Sequence, residues 1–200
     1  MLSQSERLVL KQRLIKYEGN VDHMYLDSNG FVTVGIGHML ANAAEAQKLP
    51  FLDHQGNKAS KADIKNDYTA VKKQVRQLQQ AQQLYKLAQR SAAYYKRFTK
   101  LHLSQTEINR QVNKHINTFY KELKRIYPDY DTYPKDARLA LMDMIFNLGM
   151  TKLRNKFFKL NGAVKAKNWA TAAKESRRVN VKPPRNKYVR DLFNKASAIP

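Results

Sequence analysis

The sequence predicts a mostly helical α+β protein, with a small β-hairpin lobe, a larger helical lobe and a cleft between them. Three observations predict it. Residues 24–27 and 31–34 are short strand-like runs on either side of Ser28-Asn29-Gly30, and Asn-Gly is a strong hairpin signal. From about Ser60 onward apolar residues recur every three or four positions, which is the helical period. Residues 137–148 are apolar on nearly every side and lead into Gly149, as expected of a helix in the middle of a helical lobe. The chain has 200 residues, 42% of them hydrophobic, enough for one compact core. We read residues 1–200 as one domain, with the hairpin lobe over about 19–57 and the helical lobe over 58–200.

Each element has a local cause. Ser3-x-x-Glu6 is a capping box that opens a first helix, and Leu8, Leu10, Leu14 and Ile15 give it an apolar stripe as far as Tyr17. Gly19-Asn20 stops it. After the hairpin, Gly35-Ile36-Gly37-His38 permits an unusual backbone or a close approach. Ser60 caps a helix from Lys61, and the polar stretch 61–98 reads as one or two helices with a solvated face. Ser104-x-x-Glu107 is a second capping box, opening a helix through Ile108, Val112, Ile116 and Phe119. Residues 127–134 read as a loop. Trp169, Ala170, Ala172 and Ala173 suggest another helix. Pro183-Pro184 breaks the chain before a last helix from Arg185 to about Ala196.

Composition excludes several classes. There is no cysteine, hence no disulfide, no thiolate nucleophile and no cysteine metal site. The five histidines, His23, His38, His54, His102 and His115, form no zinc spacing. No cofactor and no metal are expected. No apolar h-region follows Met1, so the expectation is synthesis in the cytoplasm without a signal peptide. The net charge is +21, and residues 58–125 and 152–200 carry most of the excess, with 16 and 14 basic residues. Such a chain is drawn to polyanions: nucleic acid, anionic membranes or bacterial wall polymers.

The chemistry concentrates in Glu18, Asp27 and Thr33. Glu18 ends the first helix, Asp27 ends the first hairpin strand, and Thr33 lies on the returning strand. Paired carboxylates at a cleft are what glycoside hydrolysis uses: one donates a proton to the leaving oxygen and the other, ionised, activates water or attacks carbon. A helix C-terminus carries partial negative charge, which together with partial desolvation favours the protonated form of an acid placed there. On spacing alone a second reading stays open. Glu18 ends a helix, Asp27 makes an Asx-turn before Asn29-Gly30, and Thr33 is an ordinary strand residue.

The run from Tyr17-Glu18-Gly19 through Tyr25-Leu26-Asp27-Ser28-Asn29-Gly30 to Thr33-Val34-Gly35-Ile36-Gly37-His38 resembles the active-site segment of the phage-type (T-even-like) lysozymes, glycoside hydrolase family 24. The shared pattern is Glu-x8-Asp-x5-Thr followed by Gly-x-Gly-His. Further on, 140–149 resembles that family's central buried helix, and Trp169-x-x-Ala172-Ala173 with Arg185 resembles its C-terminal helices. The resemblance covers roughly 1–50 and 104–196; residues 62–103 depart from it and read as a helical insertion.

The resemblance implies a muramidase that cleaves the β-1,4 bond between N-acetylmuramic acid and N-acetylglucosamine with inversion. It makes Glu18 the acid and Asp27 the group that activates water, helped by Thr33. His38 falls at a position read as structural, bracing the hairpin. Met39, Phe146 and Asn147 match positions near the sugar cleft; for Phe146 a plain core role stands equally. The implied partner is bacterial peptidoglycan, met by a monomer at the wall or periplasm after non-classical delivery. A phage endolysin and an antibacterial effector with an immunity protein both suit that setting. The basic surface, with Tyr85, Tyr94 and Tyr95 in the insertion, suits anionic envelope polymers, or is simply a solvated face. The competing reading is a basic nucleic-acid- or wall-binding protein without catalysis. No RNA-recognition, zinc-finger or helix-turn-helix pattern supports specific nucleic-acid binding.

Overall fold

The structure, a computed structural model, describes residues 2–198. Met1, Ile199 and Pro200, the ends of the predicted 1–200 domain, lie outside the described residues. The chain forms a mostly helical α+β fold of two compact units. One is Glu18–Val112; the other combines the described parts of Met1–Tyr17 and Asn113–Pro200.

The first helix, α1, spans Gln4–Glu18. Its predicted capping box is present: the Ser3 amide donates to Glu6 Oε2 at 2.7 Å, and the Glu6 amide donates to Ser3 Oγ at 3.3 Å. The buried stripe is Glu6, Leu10 and Leu14, while Leu8 is 57% exposed and falls outside the core.

In the Glu18–Val112 unit, strands β1 (Val21–Leu26), β2 (Val32–Gly35) and β3 (His38–Met39) form one antiparallel sheet in that order. The sequence showed two of the three, because a two-residue strand is too short to display alternation. The hairpin turn also differs from a two-residue Asn-Gly turn. Of that pair only Gly30 has positive φ, at 80°. The Gly30 amide donates to the Asp27 carbonyl and the Asp27 amide to the Phe31 carbonyl, both at 3.0 Å. This is a longer loop closed by one left-handed glycine.

Helix α2 (Ala43–Ala46) follows, capped by Asn42. Helix α3 (Lys61–Gln80) starts where predicted, with the Ser60 hydroxyl accepting from the Asp63 amide at 3.1 Å. No second α-helix forms between Gln80 and Phe98. Gln82 takes a φ of 53°, and the chain continues as two 3₁₀ segments, Leu84–Leu87 and Ala92–Phe98.

This stretch supports the hairpin from below. A Cβ added at Gly30 would come within 3.3 Å of Val75 and 3.4 Å of Leu87, and His23 Nε2 lies 3.0 Å from the Ala92 carbonyl. Tyr95 is fully buried, so it cannot dock on a polymer as the sequence suggested, whereas Tyr85 is exposed. Asp67 ties the end of the stretch to α3, accepting from the amides of Lys100 and Leu101 at 2.8 and 2.9 Å. The unit's core gathers Met24, Leu26, Val34, Phe51, Val71, Leu103 and Ile108.

Helix α4 (Gln105–Ile126) gives its first residues to this unit and the rest to the other. There, α5 (Lys135–Lys156) is buried all round from Leu139 to Ile145, and is interrupted at Gly149 before helical structure resumes. Helices α6 (Phe158–Lys165), α7 (Trp169–Glu175) and α8 (Pro183–Ser197) complete the unit. Pro183 and Pro184 begin α8 rather than precede it; the first helical turn is where a missing N–H costs least. Asp143 in α5 is buried and accepts from Arg178 Nη1 at 2.8 Å and Arg185 Nε at 3.1 Å.

Candidate active site

The three-stranded sheet arranges the predicted residues by register. Tyr25 on β1 pairs with Thr33 on β2, and Thr33 pairs with Met39 on β3. Directly opposed residues point to the same face, so Tyr25, Thr33 and Met39 form one row across the sheet. Asp27 and Phe31 face each other two residues on, just beyond the strand ends, and belong to the same face. Thr33 is buried, while Phe31 and Met39 are about half exposed.

Asp27 is held by the turn it helps to make. Its Oδ1 accepts from the Asn29 amide at 2.9 Å and from the Phe31 amide at 2.8 Å. Its Oδ2 meets no protein donor among the described residues. The Asx-turn read from the sequence is thus present, and it does not use up the carboxylate that the catalytic reading needs. One oxygen builds the Asx-turn, and the other is left for solvent or substrate. Thr33 Oγ1 donates to the Phe31 carbonyl at 3.2 Å. That direction leaves the hydroxyl's lone pairs as acceptors for a water.

Glu18 is the last residue of α1, and Gly19 turns the chain away with a φ of 84°. Gly37 lies beside it: a Cβ added there would sit 3.9 Å from both Glu18 Cβ and Oε2. The carboxylate thus rests near the β2–β3 turn, where a bare backbone with φ of 70° is required.

A residue that sequence reasoning did not single out feels the charge of both carboxylates. The phenol of Tyr25 is pushed up to about 12, first by burial and then by the negative charges of Glu18 and Asp27. Both carboxylates therefore bear on one neutral hydroxyl. The signal was available, since Tyr25 and Asp27 share strand parity, but an aromatic in a strand is usually packing.

Three further contacts were not legible. Lys72 on α3 donates to the Gly30 carbonyl at 2.9 Å, and its ammonium lies 5.8 Å from the centre of the Phe31 ring. It thereby grips the turn that carries Asp27. Glu107 does more than cap α4. The Ser104 hydroxyl accepts its amide as predicted, but the carboxylate binds Arg110 through two nitrogens at 2.7 Å and accepts from Gln111 at 3.1 Å. Arg110, then Gln111, and the charge of His38 hold the Glu107 carboxyl below its ordinary range, against some opposition from burial. His38 is thus close enough to Glu107 for its charge to act on that acid. His23 is buried and lies between Asp22 Oδ1 at 2.9 Å and the Ala92 carbonyl at 3.0 Å.

Phe146 and Asn147 belong to the other unit. Phe146 is half-buried in a cluster with Phe119, at 5.0 Å between ring centres, and His115 at 6.1 Å; Asn147 is exposed. Among the described residues no group of three or more His, Asp or Glu side chains is placed to hold a metal ion. No helix among them is long and apolar enough to cross a membrane.

A mostly helical α+β fold with a small three-stranded antiparallel sheet is consistent with a lysozyme-like fold. No family model matches the chain. It is similar to a protein of Dictyostelium discoideum described as probable T4-type lysozyme 1, with 27% identity over 166 residues that cover 81% of this chain and 78% of the relative. That similarity supports a lysozyme-like relationship along most of the sequence.

Proposed function

We propose that this chain is a peptidoglycan hydrolase, a muramidase of the glycoside hydrolase family 24 type acting as one domain. The observation that carries the reading is that one oxygen of Asp27 is fixed by two backbone amides while the other meets no protein donor among the described residues, on the sheet whose Gly37 turn Glu18 adjoins. The similarity to a probable T4-type lysozyme supports it.

Glu18 donates a proton to the leaving glycosidic oxygen. Asp27 Oδ2 accepts a proton from a water that Thr33 Oγ1 helps to hold, and the water attacks the anomeric carbon from the opposite side, giving inversion. Because Asp27 Oδ1 is already bonded to two backbone amides, the carboxylate needs little reorganisation when charge develops. Phe31 and Met39, exposed on the same face, offer apolar surface to a sugar ring. Phe146 and Asn147 are further candidates for sugar contact, and His38 braces the site. The chain would act at the bacterial wall, as a phage lysozyme or as an antibacterial effector.

The experiment is digestion of purified peptidoglycan with separation of the released muropeptides, for wild type, Glu18→Gln and Asp27→Asn. The expected result is disaccharide-peptides with a new reducing end from wild type and little product from either variant. A folded wild type that releases nothing from chemically varied walls would sink the proposal. Its charge of +21 would then make polyanion binding without catalysis the better reading.

A further inference from the structure

The Glu18–Val112 unit carries a second concave feature that the chemistry above does not use. A cavity of about 770 Å³ lies among residues 53–60, the first half of α3 and residues 97–101. That size is in the roughly 300–1,000 Å³ range of small-ligand sites. Its apolar lining comes from Ala59, Ala70, Phe98 and Leu101.

Both signs of charge line the cavity, but they are not equally available. Asp53 accepts from the amides of Gln55 and Asn57, both at 2.9 Å. Asp63 accepts from the Ser60 hydroxyl at 2.6 Å, and Asp67 is buried with the amides of Lys100 and Leu101 bonded to it. The acids are spent on local structure. The cations are freer: among the described residues Lys58, Arg97 and Lys100 form no salt bridge, although the charge of Lys100 bears on Asp67. Arg97 is moreover set in place. Its Nε donates to the Tyr94 carbonyl at 3.1 Å, and its guanidinium lies 4.5 Å from the centre of the Tyr94 ring, which Arg90 covers at 4.3 Å. A guanidinium held this way loses little entropy when its remaining N–H groups bind an oxyanion.

We propose that this cavity binds a short peptide by its C-terminal carboxylate, with Arg97 and Lys100 as the anion contacts and the apolar lining taking a small side chain. The negative charge of Asp53 and Asp63, though their oxygens are engaged locally, disfavours a uniformly negative polymer and leaves a peptide that also carries an ammonium group the better fit. On the wall-hydrolase reading, which alone names the ligand, the peptide is the stem of peptidoglycan. The cavity would then hold a stem independently of the glycan at the sheet.

The test is calorimetric titration with a synthetic tetrapeptide, L-Ala-γ-D-Glu-L-Lys-D-Ala, in free-acid and C-terminally amidated forms, and with poly(glycerol phosphate). The proteins are wild type, Arg97→Gln and Lys100→Gln; both side chains are exposed, so neither change threatens folding. The free acid should bind wild type and bind each variant about tenfold more weakly. Amidation should weaken wild-type binding by a similar factor. Equal binding of the two peptides, indifference to both variants, or absence of binding would overturn the proposal. So would tighter binding of poly(glycerol phosphate) with the same dependence on Arg97. Wall digestion measured in parallel separates the two ideas. No peptide binding with cleavage intact rejects this site alone, whereas peptide binding without cleavage rejects the hydrolase reading alone.

Discussion

Replacing Asp27 in two ways separates its two jobs. Asp27→Asn keeps an oxygen where Oδ1 accepts from the Asn29 and Phe31 amides, at 2.9 and 2.8 Å. It removes only the charge, at a cost under about 1 kcal/mol. Asp27→Ala removes both acceptors. Each such bond contributes about 0.5–1.5 kcal/mol at a part-exposed site, so the turn should lose about 1–3 kcal/mol in all. For a chain of this length each kcal/mol moves Tm by about 2–4 °C. The alanine variant should therefore melt several degrees lower while the asparagine variant stays near wild type. Turnover should behave differently. If Oδ2 is the base for water, both variants lose about 10²–10⁴-fold in kcat. The assay is muropeptide release beside a thermal melt. An asparagine variant that keeps most of its turnover, or one that melts with the alanine variant, would refute the division of the carboxylate into a structural and a reactive oxygen.

Other consequences concern the scaffold. Asp143→Asn withdraws the carboxylate shared by the buried Arg178 and Arg185. It should cost about 3–5 kcal/mol in denaturant unfolding, and a loss under 1 kcal/mol would contradict that network. Among the described residues the buried Tyr95 hydroxyl makes no hydrogen bond of ordinary geometry, so Tyr95→Phe should be neutral or slightly stabilising in a thermal melt; a loss above about 1 kcal/mol would reveal a bond, for which Arg90 is the candidate donor. Lys72→Met loses the bond to the Gly30 carbonyl and should lower kcat more than it raises KM, since it loosens the Asp27 turn; steady-state kinetics on soluble wall fragments would show this. Glu6 is held below its ordinary value of 4.5 because its bonds to Ser3 and Arg138 outweigh burial, which acts first and in the opposite sense. A carboxyl depressed in the folded state contributes its full stability above its unfolded value and loses it as pH falls through the folded one. Stability should thus decline below about pH 4.5, and Glu6→Gln should flatten that decline in acid titrations followed by circular dichroism.

The sequence by itself determined the elements whose cause is local. Ser3 and Glu6, Ser60 and Asp63, and the apolar run of α5 appear where periodicity and capping chemistry put them, because those signals act within a few residues. The hairpin with Asp27 at its turn was likewise legible, since turn chemistry is written in four or five neighbours. Other features depend on partners remote in sequence. The strand His38–Met39 exists only because β2 offers it an edge. Tyr25 feels the charges of both Glu18 and Asp27 only once the chain is folded. Lys72 reaches Gly30 across 42 residues, and Leu87 and Tyr95 turn a stretch that reads as solvated helix into the floor under the hairpin. Tertiary structure decided these because burial and pairing at long range outweigh the weak local preferences of polar, helix-tolerant residues.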